Sequence, residues 1–355
     1  MIDMLWVRTV FSASVLLGFA TTSATAANFA DPINTPAVLV PAPATAPLIA
    51  LARAGDHMVG VGTRGVIVTS DSGFATWTQA SVPVESDLTA VQFADANNGW
   101  ACGHNGVILH STDGGHTWTK QLDGRTAQTT FEAYYNQKIA AGDSTLTTFL
   151  TQVQLNYDAG PNLPWLSVWF NDAQTGYVVG SFGDLAITQD GGKTWQPWLD
   201  HIDNPNFLDL DAIKNVGGQL YIVGEQGTVY VFDPATQKFV ARPTTYTGSL
   251  FGITGTAQTV VVFGMRGNIF RSEDQGKTWV QSVNPSNSSI MAGSVLADGR
   301  FVLVNVDGGI LVSSDDGKSF TPQPQVQGMP LTDFVELNAH HWLLTGLGGV
   351  KDVAQ

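Results

Sequence analysis

Short runs in which apolar and polar residues alternate fill most of this chain, and turn-forming residues close them where helix caps would otherwise be expected. The stretch 88–122 shows the layout. Residues 88–93, 99–103, 107–111 and 118–122 read as four successive strands, the second and third joined by the turn Gly103-His-Asn-Gly106. The third and fourth are joined by residues 111–118, Ser-Thr-Asp-Gly-Gly-His-Thr-Trp. In that turn an aspartate can bond back to nearby N–H groups and the glycines are free to take positive φ.

Both turns recur. The Asp-containing pattern returns at 188–195 and 272–279, with looser copies at 70–77 and 313–320. The Gly-x-x-Gly turn begins at Gly62, Gly103, Gly180, Gly224, Gly264, Asn305 and Gly346, Asn305 being expected to tolerate the left-handed conformation of a glycine. The spacings are 41, 77, 44, 40, 41 and 41 residues, so one interval carries an insertion. Phe93, Asp95, Gly99 and Trp100 match Phe170, Asp172, Gly176 and Tyr177 across it. A unit of about forty residues with four strands is a propeller blade. The expected fold is therefore all-β: a seven-bladed β-propeller over residues 48–355. The seventh copy stops in what would be its third strand. Residues 37–40, Ala-Val-Leu-Val, within the Pro- and Ala-rich stretch 27–47, are expected to complete that blade and remove an open sheet edge.

The turn Ser/Thr-x-Asp-x-Gly-x-Thr-Trp resembles the Asp-box, or BNR repeat, of sialidases and other propellers. The fuller unit, Phe-x-Asp, Gly-Trp, Gly-x-x-Gly, then Ser-x-Asp-Gly-Gly-x-Thr-Trp, is similar to the photosystem II stability/assembly-factor family. That resemblance covers nearly all of the chain after residue 26 except the insertion. It implies a seven-bladed propeller and, as a partner, a membrane protein or envelope complex during its assembly. It also implies that ligands meet the face carrying the Gly-x-x-Gly turns, with Asp71, Asp113, Asp190, Asp274 and Asp315 bracing the opposite face. Trp77, Trp118, Trp195 and Trp279 are expected between blades.

On the ligand face the turn residues differ from blade to blade, so no repeated ligand is read. Arg64, His104, Phe182, Glu225 and Arg266 are the candidate contacts. Arg266, between blades bearing Glu225 and Asp307, is open to either a salt-bridged rim or an anion or partner contact. Arg64 has no acidic neighbour in the adjacent turns and is the better candidate for an exposed contact. The insertion, residues 123–160, predicts a helical hairpin. Phe131, Tyr134, Tyr135 and Ile139 stand at helical spacing, Gly142 ends the first helix, and Ser144 caps a second with Leu146, Phe149, Leu150 and Val153. The hairpin is expected over the pore mouth, with part of its apolar stripe packed and the remaining aromatics, with Phe131, Tyr134 and Tyr135 as candidate contacts, forming a docking patch or a lid.

Composition narrows the function. With 16 Lys+Arg against 30 Asp+Glu the net charge is −14, which argues against a nucleic-acid partner. Residues 10–19 form an apolar run of signal-peptide length behind Arg8 and ahead of Ala24-Thr25-Ala26. Cleavage near Ala26 and a periplasmic or secreted location are expected, and no second stretch is long enough to span a bilayer. The single cysteine, Cys102, sits in a strand and excludes an internal disulfide.

No cofactor or metal site is expected. His104, His110 and His116 fall on a front turn, a strand and a back turn, and the adjacent His340 and His341 point to opposite faces of a strand. A sialidase-like site needs three arginines, a tyrosine nucleophile and two carboxylates; Arg64, Arg266, Tyr246 and Glu225 are the best partial set. A glycosidase built on a carboxylate pair remains the alternative, with Asp203, Asp209, Asp211 and Glu225 in the right part of the chain. The main expectation is a non-catalytic binding or assembly scaffold, contacting its partner through Arg64, Arg266 and the hairpin.

Overall fold

A computed structural model describes residues 30–326, 328–338 and 341–354; the expected signal segment 1–26 and His340 lie outside them. Among the described residues the strands form seven antiparallel sheets, six of four strands and one of three. The innermost strands are Leu48–Ala54, Leu88–Phe93, Trp165–Phe170, Leu210–Val216, Leu250–Gly255, Ile290–Val295 and Leu331–Asn338. Each touches the next, and the seventh touches the first, so the blades form a ring.

The alternating pattern has a local cause. Every inner strand carries a register shift at its N-terminal end, as between Leu88 and Ala90 or Leu331 and Asp333. A bulge of this kind re-aims the following side chains. The first and fourth residues, such as Leu88 and Val91, are buried between blades. The third and fifth, such as Ala90 and Gln92, line a central channel. The second strands are buried along nearly their whole length, Gly99–Gly103 throughout, because a blade covers each face.

The ring closes differently from the expectation. Residues 37–40 form no strand and do not complete the seventh blade, whose outer strand is Gly349–Ala354. They run beside the outer strand of blade one instead: Val40 N donates to Gln79 Oε1 (2.8 Å), Gln79 Nε2 to Val38 O (3.0 Å) and Ala37 N to Val82 O (3.1 Å). Pro36, Pro41 and Pro43 flank the segment, and residues without an N–H cannot sustain a ladder. Closure rests on bonds from blade seven to blade one. Leu51 N donates to Asp333 Oδ2 (2.8 Å), and Thr332 Oγ1 donates to Leu48 O (3.0 Å).

The insertion forms two helices, α1 (Gly124–Ala140) and α2 (Thr147–Tyr157). Asp123 caps α1 by accepting from Arg125 N and Thr126 N, and Gly142 follows its end at φ 113°. Ser144 is not the cap of the second helix. Asp143 accepts from Thr145 N and starts a short 3₁₀ turn, Ser144–Leu146, that leads into α2, a carboxylate being the stronger acceptor. The hairpin does not cover the pore mouth. It packs on the outer strand of blade three, Gln196–Pro197, and contributes none of the residues lining the channel. Phe131, Tyr135, Leu146, Val153 and Tyr157 share one core with Trp165 and Leu199, and that apolar surface decides where the helices rest. No described helix is long and apolar enough to cross a membrane.

Candidate functional site

The Gly-x-x-Gly turns and the connections from each fourth strand to the next blade lie on one face. In the first six turns the second glycine is wedged against such a connection, and Gly349 of the seventh is wedged against Ala44 and Thr45. A Cβ on Gly106, at φ 65°, would stand 2.7 Å from the backbone of Gly124. The first glycine has a different reason. Gly103 is extended, and a Cβ there would stand 2.1 Å from Asp87 O, so the need is close approach. Asn305 at the sixth turn is likewise not left-handed; its Oδ1 accepts from Asp307 N and Gly309 N.

The third residue of the turn is also left-handed in five blades, without being glycine: Arg64 (φ 54°), Asn105 (61°), Phe182 (53°), Gln226 (54°) and Arg266 (56°). Of these only asparagine takes that conformation cheaply. Four turns also present exposed apolar side chains: Phe182 at 53%, Met265 at 37%, Val306 at 37% and Leu347 at 57%. Phe182 therefore combines a strained backbone with an aromatic ring in water.

The charged candidates separate. Arg64, 72% exposed, pairs with Glu85, which comes from the connection to blade two and not from an adjacent turn. Arg266 is exposed, forms no ion pair among the described residues, and meets neither Glu225 nor Asp307. Its backbone N donates to Ser289 Oγ (3.1 Å). His104 is exposed on the turn of blade two. Glu225 Oε2 accepts from Asp209 N (3.0 Å), while Asp209 Oδ1 accepts from Phe182 N (2.6 Å). Beside them Asp211 has a buried Oδ2 with no protein partner. Burial first, then Asp209 and Glu225, push its carboxyl up to about 8.

Two hairpin candidates are out of reach of a partner. Phe131 and Tyr135 are fully buried, because α1 turns that stripe onto Trp165 and Leu199. Tyr135 Oη donates to Asp200 Oδ1 (3.0 Å) and accepts from Leu199 N (3.2 Å). Tyr134 is half-buried with Lys138 over its ring. Sequence reasoning missed Asp184, buried under α2, where Asn156 Nδ2 donates to its Oδ1 (2.7 Å). Burial pushes that carboxyl up to about 7. Its partners Asn156 and Tyr157 come from the insertion, so no local pattern marks it.

The opposite face carries the Asp turns. Asp113 Oδ1 accepts from Ser111 Oγ (2.8 Å) and Thr117 N (2.9 Å), and Oδ2 from Thr117 Oγ1 (2.6 Å). Asp190, Asp274 and Asp315 repeat this set, and Asp71 bonds Ala75 N and both the N–H and hydroxyl of Thr76. The Thr278 hydroxyl, against a smaller burial cost, holds Asp274 down at about 2. Trp118 and Trp195 are buried between blades, and Trp77 and Trp279 half-buried.

The sialidase-like set does not assemble. Tyr246 Oη donates to Met265 O (3.1 Å), and Arg271 is paired with Glu273 on the Asp-turn side. His110 stacks on Trp100 and His116 on His57, while His341 Nδ1 lies 3.0 Å from Asp352 Oδ1. No three His, Cys, Asp or Glu among the described residues are placed to hold a metal ion.

Comparison with known proteins agrees with this architecture. A solved structure of YCF48 bound to a D1 peptide superposes with a TM-score of 0.63 at 16% identity, over 89% of this chain and 97% of that one. The photosystem II assembly lipoprotein Ycf48 of Synechococcus sp. (strain CC9902) is 25% identical over 303 residues, 82% of this chain and 79% of that protein. The photosystem II assembly protein Ycf48 of Synechococcus sp. (strain JA-2-3B'a(2-13)) is 25% identical over 188 residues; the match spans 47% of this chain and about half, 53%, of that relative. The family model described as photosynthesis system II assembly factor YCF48 matches residues 45–139 and 143–328, and with that span the chain belongs to this family of seven-bladed propellers.

Proposed function

We propose that the protein is a non-catalytic scaffold that holds a segment of a membrane protein or envelope complex on the face bearing the Gly-x-x-Gly turns, outside the cytoplasm. The observation that carries this is Phe182, whose left-handed backbone and exposed ring both cost free energy in the isolated chain. Met265, Val306 and Leu347 extend the apolar character over three more blades, and Arg266 supplies a cation with no ion-pair partner among the described residues. The names of the relatives support the assembly role, the D1 peptide of the solved relative supports a polypeptide ligand, and the lipoprotein relative supports an extracytoplasmic location.

The test is cross-linking of the tagged protein in intact cells, followed by identification of what is captured. Phe182→Asp combined with Leu347→Asp is expected to keep the thermal midpoint and lose a captured protein that has membrane-spanning segments. Undiminished capture by the double variant, or capture of cytoplasmic proteins alone, overturns the proposal. The hairpin is unsuitable for deletion, since removing residues 126–157 would expose Trp165 and Leu199.

A glycoside hydrolase is the second reading, favoured by one observation: Asp211 holds its proton near neutrality beside Glu225, as a general acid must. It requires turnover of an oligosaccharide that both Asp211→Asn and Glu225→Gln abolish.

A further inference from the structure

The seven inner strands enclose a channel of about 460 Å³. Each is hydrogen-bonded to a strand on one side only, so its other edge faces the channel. Four of those edge N–H groups are met by side chains: Leu51 N and Phe334 N by Asp333, Ile213 N by Ser167 and Phe170 N by Gln92. At the third position of the strand, six blades carry a small residue (Ala50, Ala90, Ser167, Ala212, Gly252, Ala292) and the seventh carries Asp333. This small lining is what leaves the channel open.

Two groups of opposite charge stand in it. Lys214, at the fifth position in blade four, has no hydrogen-bond or ion-pair partner for its ammonium among the described residues. Asp333, in blade seven, accepts one backbone N–H on each oxygen, from Leu51 and Phe334, which leaves each oxygen a further lone pair. Blades four and seven are three steps apart one way round the ring and four the other, so the two groups look across the channel, and no ion pair within 4.0 Å joins them. Each nevertheless acts on the other: the carboxylate opposes the effect of burial on Lys214, and the ammonium opposes it on Asp333. Arg53 also borders the channel, but its guanidinium donates to Glu336 O and lies over the Phe74 ring.

Both side chains are half-buried, and ions partly withdrawn from water and short of contact with each other stay incompletely compensated until something meets them. A molecule carrying both a carboxylate and an ammonium answers both at once with charge-assisted hydrogen bonds. Ile253, Trp169 and Val335 offer its body an apolar wall. A dianion or phosphate suits the site poorly, since Asp333 and the net charge of −14 repel it. We propose that the central channel binds a small zwitterion of the amino-acid class, its carboxylate on Lys214 and its ammonium on Asp333.

This site is separate from the face proposed to meet the partner, and its test does not involve that partner. Calorimetric titration uses the ω-amino acids from glycine to 6-aminohexanoate, with hexanoate and hexylamine as single-charge probes. One member of the series is expected to bind at least about tenfold more tightly than either single-charge probe. Lys214→Met, which removes a side chain without hydrogen bonds, is expected to keep the thermal midpoint and weaken that binding by about tenfold or more. The proposal is overturned if no member binds by about 10 mM, if hexanoate or hexylamine binds as tightly, or if Lys214→Met leaves the affinity unchanged.

Discussion

Single carboxyl groups set the response of this protein to pH. Burial raises Asp184 to about 7, Asp211 to about 8 and Asp333 to about 6, from an ordinary value of 3.8. In the unfolded chain all three are ionised above roughly pH 4, so between that pH and roughly 8 the folded state binds more protons. Their contribution to stability is fully present at the acid end of this window and is lost as pH rises through the folded values. Asp274 and Asp315, both at about 2, act in the opposite sense, and their contribution is lost only as pH falls toward 2. The urea midpoint is therefore expected to be higher at pH 5 than at pH 8. Asp184→Asn, which keeps an acceptor for Asn156, should flatten that slope by roughly 2–4 kcal/mol across the window. An unchanged slope would show that Asp184 is not the titrating group.

Among the elements, the helical hairpin departs most from an isolated reading. Its apolar spacing is evident in the sequence, but spacing cannot say whether a stripe meets the propeller or a partner. Tyr135 is the joint. Its hydroxyl connects α1 to Leu199 N and Asp200 after blade three, and Tyr135 and Leu199 share one apolar core. Tyr135→Phe leaves the Leu199 N–H unmatched and is expected to cost roughly 1–3 kcal/mol. The measurement is chemical denaturation together with hydrogen exchange at Leu199, which should quicken while exchange in blade five stays as it was. The apolar spacing does not mark Asp123 as the cap of α1, and the cap of the second helical segment is Asp143, one residue before the expected Ser144. Neighbouring Asp and Ser compete for the same N–H groups, and the carboxylate wins.

For the molecule as a whole, closure of the ring is the decisive feature. With a three-stranded seventh blade, the seam depends on Thr332 and Asp333 reaching Leu48 and Leu51. Asp333→Val removes the acceptor of Leu51 N and is expected to destabilise the protein by roughly 1–3 kcal/mol, with faster hydrogen exchange at Leu51. Equal exchange rates in variant and parent would move closure to the packing of residues 43–46 against Gly349.

The sequence by itself determined the blade, the count of seven and the two faces, because these follow from local matters: strand alternation, glycines where a Cβ would collide, and aspartates that bond within their own turn. It also places Asp333 where every other blade carries a small residue. Tertiary structure decided the rest. The partner of Arg64, the burial of Phe131 and Tyr135, the raised carboxyls of Asp184 and Asp211, and the encounter of Lys214 with Asp333 across the channel all join residues that no turn or strand brings together. Burial and charge are properties of what surrounds a side chain, and in this protein the surroundings come from the next blade or the far side of the ring.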